Sequence, residues 1–217
     1  MHSFSFFYDN FGVYLKPYST IKKIIRSHWQ LFTLISLIAS VNWPLCYGEV
    51  RSELVFLPDA VKSGQWWRLV TFPFVHLSWY HLLLDAGGFL LVYESLTEKR
   101  LKVKLFYILI AGAGSLIMAM LMEPSISQRG LAGLSGIAHG LMAISGLEML
   151  KRPDQRTWGG FYLILVIAKS TYELYTGEVM FQFMHMGMCG FPIAASHGGG
   201  VISGLLTFVI VNRKKQR

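Results

Sequence analysis

Residues 103–122 read Val-Lys-Leu-Phe-Tyr-Ile-Leu-Ile-Ala-Gly-Ala-Gly-Ser-Leu-Ile-Met-Ala-Met-Leu-Met, twenty positions with one charge, Lys104, at the edge. As a helix rising 1.5 Å per residue, such a run spans ~30 Å, the hydrocarbon thickness of a bilayer. Five more apolar runs stand at 29–48, 78–97, 131–150, 158–176 and 194–212. Together they fill most of the 217 residues and leave no room for a separate soluble domain. Composition agrees: 53% of residues are hydrophobic and 15% charged, against about a quarter charged in soluble domains. Mean hydropathy is +0.44. The expected fold is therefore all-α, a polytopic membrane bundle of six helices. It divides into a cytoplasmic N-terminal segment 1–28, a membrane domain 29–212 with an outer loop at 49–77, and a basic tail 213–217. The first run follows 28 residues, is long for a signal-peptide core and lacks a small-x-small cleavage site. It reads as a retained anchor.

The net charge of +8 could point to nucleic acid, but its distribution points to a membrane. Lys16, Lys22, Lys23 and Arg26 precede the first run. Lys99, Arg100, Lys102 and Lys104 separate the second from the third, and Lys151, Arg152 and Arg156 the fourth from the fifth. Arg213, Lys214, Lys215 and Arg217 end the chain. These are fifteen of the twenty Lys and Arg, all on one side. The other side holds Arg51, Lys62, Arg68 and Arg129. The positive-inside rule then puts both termini in the cytoplasm, as an even helix count requires. On the outer side, Trp66, Trp67, Phe72 and Phe74 around Arg68 suit the headgroup level. Cys46 and Cys189 both fall near the outer face, and two cysteines cannot establish a disulfide. No C-x-x-C, H-E-x-x-H or P-loop pattern is present.

Ionisable groups inside membrane helices are costly and mark functional interiors. Here they are His81, Asp85, His139, Lys169, Glu173 and His197, together with the Ser135 hydroxyl. Ser135 lies 16 residues before Lys151, and His197 lies 16 before Arg213. Both therefore stand ~24 Å above the cytoplasmic end. His81 and Asp85 precede Lys99 by 18 and 14 residues, or ~27 and ~21 Å. Three helices thus deliver a hydroxyl, an imidazole and a His/Asp pair to one layer, nearer the outer surface than the cytoplasm. A serine hydroxyl needs a base to become nucleophilic, and a neutral imidazole supplies one. His81 and backbone N–H groups around Ser135 could stabilise the oxyanion of acyl transfer. Ser135 also follows Gly130-Leu131-Ala132-Gly133-Leu134, where a helix would begin and leave N–H groups free. Gly136/Gly140 and Gly200/Gly204 are small-x-x-x-small pairs, which let membrane helices approach closely. Approach of these two helices would bring Ser135 to His197. Lys169 and Glu173, one turn apart, read as a structural ion pair. His28 and His185 read as interfacial residues, and His2 as a solvated tail residue.

These residues resemble a known family. Gly133-Leu134-Ser135-Gly136 resembles the GxSG nucleophile motif of rhomboid intramembrane serine proteases. Ala195-Ser196-His197-Gly198-Gly199-Gly200, with Gly204 following, resembles the rhomboid histidine helix. His76 and then His81-Leu82-Leu83-Leu84-Asp85 resemble H…HxxxN, and Trp67-Arg68 resembles the Trp-Arg of the first loop. The elements keep the family's order over residues 66–204. Gly133 to Gly140, with His139, is most similar to the rhombosortase form GLSGxxHG. Lys169 with Glu173, and Gly190-Phe191-Pro192-Ile193, resemble further elements of that subgroup.

The resemblance implies Ser135 as nucleophile, His197 as base, and His81 with Asp85 at the oxyanion. Gly133, Gly136, Gly199 and Gly200 would support the site, and His139 would replace an aromatic packed on the catalytic histidine. It implies no cofactor, no metal and no nucleic acid. The partners would be the lipid bilayer of a bacterial inner membrane and anchored proteins with a C-terminal transmembrane tail of the Gly-Gly sorting type. Asp85 departs from the family's Asn. An ionised carboxylate only accepts hydrogen bonds and would repel an oxyanion, whereas a protonated one can donate. Either Asp85 donates in its neutral form, or it orients His81 and stays out of the hole. Two alternatives from other classes are a zinc hydrolase acting on lipid through His76, His81, Asp85, His139 and His197, and an inactive rhomboid relative that binds without cutting.

Overall fold

The computed structural model of the chain describes residues 16–213. The first half of the 1–28 segment, with His2, and Lys214, Lys215 and Arg217 of the basic tail lie outside the described residues. Among those described there is no strand, only an isolated antiparallel bridge between Phe56 and Leu131. Six longer helices are α1 Lys16–Asn42, α2 Trp79–Ser95, α3 Leu101–Met122, α4 Ser135–Leu150, α5 Arg156–Thr176 and α6 Ala194–Arg213. Packing divides the chain after Leu37. The first unit, where described, is helix from Lys16 with a break at His28 (φ −116°, ψ 22°). The helix is thus longer toward the N-terminus than the 29–48 run. It stops at Asn42, ahead of Pro44, which sits in a 3-10 turn Trp43–Tyr47.

Among the described residues, three stretches are long and apolar enough to cross a membrane alone: His28–Tyr47, Leu101–Met122 and Ala194–Arg213. A fourth counts if the bent pair Arg68–Phe74 and Trp79–Ser95, turned by 96°, is one span. α2 and α4 have only 17 and 16 residues, and α5 carries Arg156, Lys169 and Glu173. The helices therefore stand where the apolar runs do, while a count of six spans goes beyond length and hydropathy.

In the second unit α4 is central, packed against α2, α3, α5 and α6, and α3 packs along α6. The α4–α6 contact is made by backbone. A Cβ at Gly200 would run into the carbonyl oxygen of Gly136, and one at Gly204 into that of Gly140. Any larger residue would part the helices, which is the physical content of the small-x-x-x-small spacing. A parallel contact joins α3 to α6 through Gly114 and Gly199. Large apolar side chains such as Leu91, Leu121, Trp158 and Ile164 are left facing outward, as helices apolar on every face do in lipid. Cys46 and Cys189 are free.

The stretch 49–77, expected as a loop, is not without regular structure. It holds helical turns at Ser52–Leu54, Pro58–Lys62, Arg68–Thr71 and Phe72–Phe74. The cause is Arg68. Its buried guanidinium donates to the Ser52 carbonyl (2.6 Å), the Val55 carbonyl and Gln65 Oε1 (2.7 Å), gathering the loop on one cation. Trp66 and Trp67 stay exposed, while Phe72 is buried edge-on against Phe56. α4 begins four residues later than its apolar run. Gly130 (φ 72°) and Gly133 (φ 103°) hold left-handed backbone, and Leu131 between them is bridged to Phe56 instead of coiling. The delay makes Ser135 the first residue of α4.

Candidate active site

A cavity of about 460 Å³ is lined by His81 and Asp85 of α2, Ser135 and His139 of α4, Lys169 of α5 and His197 of α6. Parts of the connections that precede α4 and α6, from Gln128 to Ala132 and from Val179 to Ile193, complete its wall. The cavity thus holds the hydroxyl, the imidazole and the His/Asp pair that the sequence places in one layer, with His139 and Lys169 beside them.

On the α2 side, Ser78 caps the helix by accepting the His81 N–H (3.1 Å) and donates to the Met188 carbonyl. His81 Nδ1 accepts the Leu77 N–H at 3.2 Å. Its proton therefore sits on Nε2, which points at Asp85 Oδ2, 3.1 Å away. The same carboxylate oxygen accepts the backbone N–H of Ser135 at 3.1 Å. Gly133 permits this convergence, since a Cβ there would lie 2.5 Å from Asp85 Oδ2 and 2.8 Å from His81 Nε2. Behind them, Asn42 accepts the His76 N–H (2.9 Å) and donates to the Phe74 carbonyl (2.7 Å). That leaves His76 Nε2 buried without a hydrogen-bond partner, 3.9 Å from Asp85. Asp85 thus has the contacts of an accepting carboxylate that orients His81.

On the other side, the His139 and His197 rings stack at 4.1 Å and 12°, where the family would place an aromatic. His139 Nδ1 is 2.7 Å from the Ser135 carbonyl and its Nε2 is 2.9 Å from Lys169 Nζ. Lys169 and Glu173 do pair. Glu173 also meets His197 Nδ1 at 2.8 Å, a contact that the one-turn spacing on α5 gives no sign of. No hydrogen bond among the described residues joins the Ser135 hydroxyl to His197. They share the cavity, and His197 Nε2, the nitrogen that Glu173 leaves unused, can act as base. Such bonds are often long before substrate binds.

The five donors of the zinc alternative fall into two groups, and Glu173, not among the five, joins the second. His76, His81 and Asp85 form one. In the other, ligand atoms of His139, Glu173 and His197 lie within 4.8 Å of each other, but the Lys169 ammonium already bonds two of the three. A cation would have to displace it. In the cavity wall, burial holds the His185 imidazole below its ordinary range and pushes the Cys189 thiol up.

The Rhomboid domain, as a family, matches residues 63–214, well over half of the chain. The chain belongs to the rhomboid family. A relative described as "Putative rhomboid protease YdcA", from Bacillus subtilis (strain 168), is 24% identical over 215 residues, covering 96% of this chain and 97% of that protein. No solved structure matches. As a rhomboid, the chain is an integral, multi-pass membrane protein of a protease family whose substrates lie in the bilayer.

Proposed function

We propose that this rhomboid is an intramembrane serine endopeptidase of the rhombosortase kind, with Ser135 as nucleophile and His197 as base. The observation that carries this is the convergence of two donors, His81 Nε2–H and Ser135 N–H, on one anionic oxygen at 3.1 Å each. Such a pair is what an oxyanion requires, and it stands beside a serine hydroxyl in a cavity shared with His197. As Ser135 Oγ bonds to the scissile carbonyl carbon, its proton passes to His197 Nε2. The carbonyl oxygen becomes the oxyanion and competes with Asp85 for the two donors. Collapse breaks the C–N bond, and His197 returns the proton to the leaving amine. Water, deprotonated by His197, then hydrolyses the acyl-enzyme.

The layer of the site sets the substrate. A site ~24 Å above the cytoplasmic end reaches peptide bonds near the outer boundary of the membrane, here a bacterial inner membrane with both termini cytoplasmic. A transmembrane helix hides its amides in internal hydrogen bonds, and glycine eases unwinding by about 1 kcal/mol relative to Ala. A C-terminal tail of Gly-Gly, an apolar span and basic residues fits both demands, so the enzyme frees outer domains from such anchors. To test this, release of an outer domain is followed with its Gly-Gly intact or changed to Leu-Leu. Release should require Gly-Gly and wild-type Ser135; equal release of both forms counts against the substrate. Reporter fusions at the C-terminus and within 177–193 should report inside and outside.

A further inference from the structure

We propose that Glu173 is a positioning residue for His197, so that the site works as a Ser135–His197–Glu173 relay whose charge is set by Lys169 and His139; this rests on the serine-protease mechanism above. Sequence spacing makes Lys169 and Glu173 a one-turn ion pair, and that contact uses only one carboxylate oxygen. Oε1 takes the Lys169 ammonium and the Met180 N–H (2.9 Å), while Oε2 takes His197 Nδ1 at 2.8 Å. Glu173 is fully buried. A membrane helix holds a buried carboxylate only with partners, and here one of the partners is the base itself. A carboxylate accepts and cannot donate, so the proton of neutral His197 is on Nδ1 and the lone pair on Nε2. That tautomer is the one able to take the Ser135 proton.

The neighbours fit the same assignment. The Ser135 carbonyl can only accept, so His139 Nδ1 donates to it at 2.7 Å, and His139 Nε2 accepts from Lys169. His139 is thereby fixed as an uncharged ring lying flat on His197. When the O–H bond of Ser135 breaks and its proton reaches His197 Nε2, the new imidazolium meets a carboxylate at Nδ1 and a neutral ring on its face. The charged and titratable groups around it are Glu173 and Lys169 from α5, His139 from α4, Asp85 and His81 from α2 across the cavity, and, from the connections that line it, Arg129, His185 and Cys189.

The test needs no natural substrate. An alkyl fluorophosphonate reacts with the purified full-length protein in detergent: Ser135 Oγ displaces fluoride from phosphorus while its proton passes to the base. The second-order labelling rate is measured against pH. Ser135→Ala should not label, and labelling there would overturn the serine mechanism rather than the role of Glu173. Glu173→Gln should slow labelling by about 10²-fold or more, the corresponding amide change in Ser-His-Asp enzymes costing about 10⁴. It should also move the acid limb of the profile to lower pH, because imidazolium loses its counter-charge. Lys169→Met should move the limb the opposite way, since a cation beside His197 is removed. Glu173→Asp should recover part of the rate. A Glu173→Gln rate within twofold of wild type, with an unmoved limb, overturns the proposal. Should Glu173→Gln fail to fold, as read by tryptophan fluorescence, unmoved limbs in Glu173→Asp and Lys169→Met overturn it instead.

Discussion

Two cavities of nearly equal size, about 460 and 470 Å³, open at opposite ends of α4. The one at the end proposed to face outward, the outer cavity, holds Ser135, His197 and their partners. The inner is lined by Thr97 to Arg100, Tyr107, Glu148, Lys151 and Arg152. Each is organised by a mostly buried carboxylate that ties α2 to α4 through backbone N–H groups. At the inner end Glu148 accepts from Thr97 (2.6 Å) and Glu98 (3.2 Å), just past the end of α2. At the outer end Asp85 accepts from Ser135. The contact is chemically the same and its consequence is not. The amides held by Glu148 need a partner and nothing more. The amide held by Asp85 belongs to the residue with the candidate nucleophilic hydroxyl, and its second donor is a histidine. A staple at one end is, at the other, a contact that the proposed reaction must loosen.

The sharpest way to separate the ends is to remove the groups that only the outer end has. Ser135→Ala and His197→Ala should each abolish proteolysis while leaving the protein folded and inserted, with His197→Ala the less stable of the two because Glu173 loses a buried partner. In other serine proteases such losses reach about 10⁶-fold in kcat and do not add, so the double variant should be no worse than either single one. Turnover retained in Ser135→Ala would make the outer cavity no more than another helix junction.

Next in size is the seam that joins the two ends. Gly200→Ala places a methyl against the Gly136 carbonyl. It should cost about 1–3 kcal/mol of stability, as overpacking does, and at least tenfold in rate because it moves α6 from α4. Gly87→Ala on α2 meets nothing within 4 Å and should leave stability within about 0.5 kcal/mol. Equal effects of the two would deny the seam its role.

The inner carboxylate gives a smaller, purely structural effect. Glu148→Gln retains one acceptor oxygen and loses the charge that holds two amides. We expect unfolding to be about 1–3 kcal/mol easier, with fluorophosphonate labelling of Ser135 within twofold of wild type. A large loss of labelling with unchanged stability would mean that the inner end belongs to the chemistry.

The two ends also differ in how far the sequence reveals them. Apolar runs locate the helices to within a few residues from α2 onward, because lipid demands unbroken apolar length. Ser135 and His197 stand out by equal distance from their basic flanks, a one-dimensional property. The contacts that sequence leaves out depend on how helices are turned. A four-residue spacing pairs Lys169 with Glu173 on one helix, but only the packing of α5 on α6 presents the second Glu173 oxygen to His197. The fourth apolar run opens at Leu131, but the glycine-rich stretch before Ser135 already marks where helix takes over, and Leu131 is bridged to Phe56, more than seventy positions earlier. Arg68, read as part of a headgroup belt, turns inward because nearby carbonyls need a donor more than the membrane surface needs a cation.

The smallest expected effect falls on the outer carboxylate itself. Asp85 Oδ2 occupies the point at which His81 and the Ser135 amide aim their protons. An oxyanion forming there competes with a group of the same charge. In Asp85→Asn the side-chain oxygen can still accept from both donors, so His81 keeps its tautomer. A neutral amide holds them less tightly than a carboxylate, and its N–H₂ can donate where the carboxylate could only repel. Labelling of Ser135 should rise about three- to tenfold, the equivalent of ~1 kcal/mol in the barrier, with little change in stability. Asp85→Leu removes the acceptor altogether and leaves two buried donors unpaired, a cost of about 1–3 kcal/mol each; it should lose both stability and rate. The opposite result for Asp85→Asn, a loss of rate at every pH tested, would mean that the negative charge is needed to hold His81. The outer carboxylate would then be a staple like Glu148.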